Sequence, residues 1–178
     1  MADDEWFRSL SGEPSLWKWQ AKGLIQSADV LRAEYTQHWT VAGTPPINGS
    51  DEEIRLWFVQ RSAVLLYGIA IENLLKGLRV VRLKEAGRQP VQITKWKGLQ
   101  LQLGGHDLEE LANAAKIDLT SQEQFLLRDV SEVVLWSGRY HLPLRSNDFA
   151  PIVDRSDKAT AARAFAHKLI ALYPPEPD

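Results

Sequence analysis

The sequence predicts an all-α protein, an up-and-down bundle of four to five main helices around one long central helix. Three observations carry this expectation. Apolar residues recur at three- and four-residue spacing along most of the chain, the run Ala63 to Ile71 is apolar on every face, and Ser, Thr or Asp residues stand where helices should start. With 178 residues, 44% of them hydrophobic, the chain is long enough for a single domain with a substantial core. That domain spans residues 1–178, with an N-terminal arm over 1–13 and a frayed tail over 174–178.

The first helix starts behind Pro14 and Ser15 and runs from Leu16 to about Val41, with Leu24, Ala28, Leu31 and Tyr35 on one face. Gly43-Thr44-Pro45-Pro46 breaks it, and Ser50 or Asp51 with Glu53 restarts a helix in capping-box style. This second helix runs from about Glu52 to Glu85, roughly 50 Å at 1.5 Å per residue, so Gly68 or Gly77 should mark a bend or a close crossing. Around 91–103, Val91, Ile93, Leu99, Leu101 and Leu103 alternate with polar residues, which fits either a small β-hairpin or an ordered loop. Asp107 caps a short helix to about Ala115, and Thr120 or Ser121 with Glu123 caps another to about Trp136, stopped by Gly138. A last helix begins at Asp154 or Ser156 and puts Ala162, Phe165, Leu169 and Leu172 on one face. Most of the seven tryptophans are expected in the core of these packed helices.

Composition narrows the function classes. A formal charge of −2 removes the global footprint of a dedicated nucleic-acid binder, leaving only local anion sites. Without cysteine there is no disulfide, thiolate metal site or Cys nucleophile. The Met-Ala-Asp-Asp-Glu start lacks the basic and apolar regions of a secretory signal, and the longest apolar run is far short of the ~20 residues that span a bilayer, so a soluble cytoplasmic protein is expected.

Three separated stretches could carry chemistry. Glu72 and Lys76 are four residues apart on one helix face, and Arg79 extends that face. An exposed pair of this kind contributes a few tenths of a kcal/mol, but here the pair follows directly on the all-round apolar segment and needs partners such as His106 or Arg139. From there on, Lys76, Arg79, Arg82, Lys84, Arg88, Lys95 and Lys97 are answered only by Glu85; they complement the helix dipole or, with Trp96, form a phosphate-binding surface. His106 and Asp107 open a helix, as a turn residue and a cap, or as an acid-base group and a phosphate contact. Arg139, Tyr140 and His141 follow a Gly stop and offer a fork for an anion, a stacking face and a titratable donor; Arg139 could equally lock onto Glu72. A metal set drawn from His106, Asp107 and His141 lacks any regular ligand spacing, so neither metal nor cofactor is expected.

In order, Ile71-Glu72-Asn73-Leu74-Leu75-Lys76, Gly105-His106-Asp107-Leu108 and Gly138-Arg139-Tyr140-His141-Leu142-Pro143 resemble the HEPN superfamily of helical domains. The resemblance spans about residues 52 to 143 and implies an up-and-down bundle, often paired as a homodimer, and with two Trp-rich faces left to cover a homodimer is expected here too. Catalytic members are metal-independent ribonucleases with four to six residues between an arginine and a histidine, whereas here Tyr140 alone separates Arg139 from His141. Arg163 and His167, with three residues between them, are also closer than that pattern. The likeness therefore points to the ligand-binding branch, with Glu72, Lys76, Arg79, His106, Asp107, Arg139 and Tyr140 lining a pocket for a nucleotide, RNA or other anion, sometimes beside a partner protein. As a ribonuclease the chain would use Arg139 on the phosphate and His141 or His106 on the proton. As a structural or dimerisation module it would use the same polar set to fix helix register.

Overall fold

The computed structural model describes residues 12–38, 49–88, 105–137 and 158–175. The expected hairpin or loop at 91–103 lies outside them, as do Arg139, Tyr140 and His141. Five helices make an all-α bundle: α1 (Pro14–His38), α2 (Asp51–Glu85), α3 (Leu108–Ala114), α4 (Ser121–Glu132), which continues into a π-helical turn over Val133–Ser137, and α5 (Lys158–Ala171). No strand occurs among the described residues.

The helix starts follow local chemistry. Ser50 caps α2 by accepting from the Glu53 amide while the Glu53 carboxylate accepts from Ser50, and Thr120 with Glu123 repeats the same box at α4. Asp51, Glu52 and Glu53 at one end of α2 and Arg82 and Lys84 at the other complement its dipole. At its C-terminus Gly87 takes a φ of 67° while the Arg88 amide donates to the Leu83 carbonyl and the Gly87 amide to that of Lys84, closing the helix with a left-handed residue. The short α3 ends by the same device on Lys116, a side-chain-bearing residue at φ 57°.

Ion pairs at their ends give the helices their directions. Glu34 on α1 meets Arg55 near the start of α2, and Glu13 just ahead of α1 meets Lys84 near the end of α2, so the two run antiparallel. Arg32 and Asp29 of α1 face Thr160 and Arg163 of α5, while Lys18 lies over the Tyr173 ring beyond α5, so α5 also opposes α1 and runs along α2. Asp129 pairs with Lys158 and Glu123 with Lys168, which turns α4 against α5. The spine is α2: between Ala63 and Val81 every residue is buried or half-buried, because α1, α3, α4 and α5 all pack on it.

Two glycines permit these close approaches. A Cβ on Gly68 would come within 2.5 Å of Val134 and 2.8 Å of Val130, so the α4 end sits directly on the α2 backbone. A Cβ on Gly77 would collide with the Tyr173 hydroxyl and lie 2.8 Å from Trp17 Cβ. The Tyr173 hydroxyl donates to the Leu74 carbonyl at 2.8 Å, and burial pushes its ionisation up. Gly68 and Gly77 therefore both mark close crossings, one of the two options of the sequence reading.

The core departs from the periodic reading in two places. Leu172 is exposed and Tyr173 is the buried residue after α5, because the chain leaves the helix at that point. Trp19 is 74% exposed and Trp17 and Trp57 are only partly covered, so the tryptophans with described side chains lie around the core and not inside it.

Gly77→Ala should lower unfolding free energy in urea by about 1–3 kcal/mol, despite the better helix propensity of alanine, because the tyrosine must move. Tyr173→Phe should cost about 1 kcal/mol, and the double variant should cost less than the sum, since the phenylalanine lacks the atom that collides.

Candidate functional site

Glu72 sits in the middle of α2 on its packed side, and it is 7% exposed, with Lys76 at 9%. Their spacing of one helical turn brings Lys76 Nζ to 2.5 Å from Glu72 Oε1. The remaining carboxylate valence goes to His106, whose Nδ1 lies 3.0 Å from both Oε1 and Oε2. A carboxylate can only accept, so Nδ1 carries the proton of this bond and Nε2 becomes the second polar atom of the ring. Among the described residues Nε2 has no partner, and the His106 side chain is 37% exposed. Three residues from two distant parts of the chain thus form one bonded cluster, charge-compensated at its base and open at the imidazole edge.

The loop that carries His106 is held by α4. Leu108, the first residue of α3, donates its amide to Ser131 Oγ at 2.9 Å, and that buried hydroxyl donates in turn to the Leu127 carbonyl at 2.7 Å. The bond satisfies one of the amides a helix start leaves open and fixes α3 against α4. Asp107 takes the next duty as cap, its Oδ1 accepting from the Glu110 amide at 2.9 Å. Glu109 of α3 pairs with Arg128 of α4 through two oxygens. Ser131 gave no sequence signal, because a serine inside a helix reads as a neutral filler until its partner is known.

Of the remaining expected residues, Arg79 is half-buried and stands seven residues beyond Glu72, about 10 Å along the same side of α2. It forms no ion pair among the described residues, unlike Arg82 with Glu85 and Lys84 with Glu13. Arg139, Tyr140 and His141 fall outside the described residues. Among those described, no group of three His, Asp or Glu side chains is placed to hold a metal ion, and no helix is long and apolar enough to cross a membrane.

A second polar cluster was not anticipated. Asp29 of α1 receives the Tyr67 hydroxyl at 2.5 Å and Arg163 Nε at 2.6 Å, with a longer bond from the other Arg163 nitrogen. Burial raises the Asp29 carboxyl, but Arg163 and Tyr67 outweigh it and hold it below the ordinary aspartate value. Burial, and then the hydrogen bond to Asp29, push the Tyr67 hydroxyl up. Tyr67 is fully buried, so this fork ties α1, α2 and α5 together. Its members are 38 and 134 residues apart, beyond any local pattern.

Comparison with protein-family models, with curated proteins and with solved structures finds no match to this chain.

Removing one partner of the buried pair should be severe: Glu72→Gln, which strands the Lys76 ammonium, should cost about 3–5 kcal/mol in denaturant unfolding, and Glu72→Leu with Lys76→Met should recover most of it. Because the folded-state carboxyl of Asp29 titrates below 3.8, its contribution is complete above pH 3.8 and disappears as pH falls through the lowered value. The acid limb of the stability curve should therefore be shallower in Asp29→Asn than in the wild type.

Proposed function

We propose that the chain is a HEPN-like helical binding module in which His106, braced by Glu72 and Lys76, meets an anionic ligand of the nucleotide or RNA class. The observation that carries this reading is the asymmetry of the cluster. Its acid and its amine are buried and satisfy each other, while the imidazole edge faces outward and Arg79 stands on the same side of α2 without an acid among the described residues. A group fixed at Nδ1 and open at Nε2 is pre-organised to donate to or accept from a ligand, with little ordering left to do on binding. Arg79 supplies charge for a phosphate or carboxylate. Arg139 and Tyr140 belong to this proposal as further contacts, an anion fork and a stacking face.

The second reading, a buried network that fixes helix register, is favoured by the exposures of 7% for Glu72 and 9% for Lys76. In the ribonuclease alternative Arg139 and His141 or His106 cleave RNA without metal, and it draws on the sequence resemblance alone.

Titration calorimetry with a panel of mononucleotides and short single-stranded RNA separates these readings. The binding module should bind one member of the panel, and His106→Ala, Arg79→Ala and Arg139→Ala should each weaken it about tenfold or more, which is about 1.4 kcal/mol, while thermal unfolding of His106→Ala changes little. If no panel member binds up to millimolar concentration, or if the three variants bind as the wild type does, the module reading falls and the register lock stands in its place. RNA cleavage in excess EDTA that is lost in both Arg139→Ala and His141→Ala would establish the nuclease instead.

A further inference from the structure

The groove between α1 and α5 holds more positive charge than its own acid answers. On α1, Lys18, Lys22, Ile25, Asp29 and Arg32 form one stripe by their steps of four and three, and on α5 Thr160, Arg163, His167 and Ile170 form another. The contacts of Lys18 with the Tyr173 ring, of Asp29 with Arg163 and of Arg32 with Thr160 set the two stripes face to face. Along them Asp29 is the one acid, and both of its oxygens are already bonded, to Tyr67 or to Arg163.

Three basic side chains there are left with donors to offer. Arg32 is half-buried, and its hydrogen bond among the described residues is a long one, 3.4 Å from Nε to the neutral hydroxyl of Thr160. Arg163 is held by Asp29 through Nε and Nη2, and its Nη1 forms no hydrogen bond among the described residues. His167 is exposed one turn beyond Arg163 and near enough to Asp29 to favour its ionised form. Arg32 also stands near this fork, since its charge opposes the upward push on the Tyr67 hydroxyl. From Thr160, where Arg32 ends, to His167 the row is about 10 Å long. The exposed Ala33 and Ala164 beside the stripes are too short to cover it.

We infer that this groove binds an oligophosphate, with one phosphoryl group between the guanidinium groups of Arg32 and Arg163 and the next at His167. Planar guanidinium forks match phosphate oxygens, and a row of this length suits more than one phosphoryl group. Neither stripe carries an exposed Trp, Tyr or Phe on which a base could stack, which favours a bare phosphate chain over a nucleic-acid strand. The Asp29 fork keeps Arg163 in place before any ligand arrives, so binding orders only Arg32 and His167. The groove lies across α2 from the Glu72 cluster, and the inference does not rest on the function proposed for His106.

Titration calorimetry with sodium tripolyphosphate at physiological ionic strength tests it. The wild type should bind in the micromolar range, and orthophosphate about tenfold more weakly or worse. Arg32→Gln and His167→Gln should each weaken tripolyphosphate binding about tenfold while the thermal unfolding midpoint stays in place, because neither side chain forms an ion pair among the described residues. Arg128→Gln, which removes the same charge from the surface of α4, should bind as the wild type does. The inference is overturned if tripolyphosphate gives no binding up to millimolar concentration, if either groove variant binds normally, or if Arg128→Gln loses as much as they do, which would mark attraction by net charge alone. A single-stranded oligouridylate that binds more tightly than tripolyphosphate and depends on Arg32 and His167 would overturn the oligophosphate in favour of nucleic acid.

Discussion

A charged pair buried against a packed core has little water to which it can surrender its charge. Glu72 and Lys76 of α2 are in that position, and the fold around them is arranged to meet the consequence. Glu72 and Lys76 neutralise each other along the helix, His106 comes from outside it to take up the remaining carboxylate capacity, and Ser131 on α4 pins the turn that delivers His106. Each step satisfies a group that the previous one leaves incomplete. A buried acid with no counter-charge would be destabilising by several kcal/mol, so Lys76 is the partner on which Glu72 depends, and His106 adds to it from the α3 side.

The same logic recurs at the opposite side of the spine. Tyr67 is buried for its ring, and its hydroxyl then needs an acceptor; Asp29 supplies one and is itself stabilised by Arg163. The two clusters differ in how their polar atoms are used. Both oxygens of Asp29 are bonded to Tyr67 or Arg163, although the Asp29 and Arg163 side chains are 33% and 40% exposed, whereas the His106 ring of the Glu72 cluster keeps Nε2 without a partner among the described residues, which is why the latter supports a reading as a site and the former as a brace.

Element by element, the helices were legible where the signal is local. Ser50 with Glu53 and Thr120 with Glu123 place the starts of α2 and α4 because capping boxes act within four residues, and the all-round apolar run identified the spine. Glu72 was readable as a residue in need of a partner because its sequence neighbours announce burial. Ser131 and the Asp29–Tyr67–Arg163 fork were not, since their meaning lies in contacts tens of residues away. The tryptophans misled for another reason: residues two apart on a helix point nearly opposite ways, so Trp17 and Trp19 cannot both enter one core, and hydrophobicity alone does not say which turns outward.

The close contact between Gly77 and Tyr173 bears on how the chain is made. Among the described elements α5 is last in order, yet its end seats on the middle of the spine, nearly a hundred residues upstream in the chain. While the polypeptide emerges from the ribosome, α1 and α2 can pair early, but one flank of the most apolar helix stays uncovered until the region of Lys158 to Tyr173 has been synthesised. Between the synthesis of α2 and that of α5 the nascent protein thus carries an open hydrophobic groove. A message truncated before that region would yield a chain with helices in place and its spine exposed, a natural substrate for chaperones or proteases.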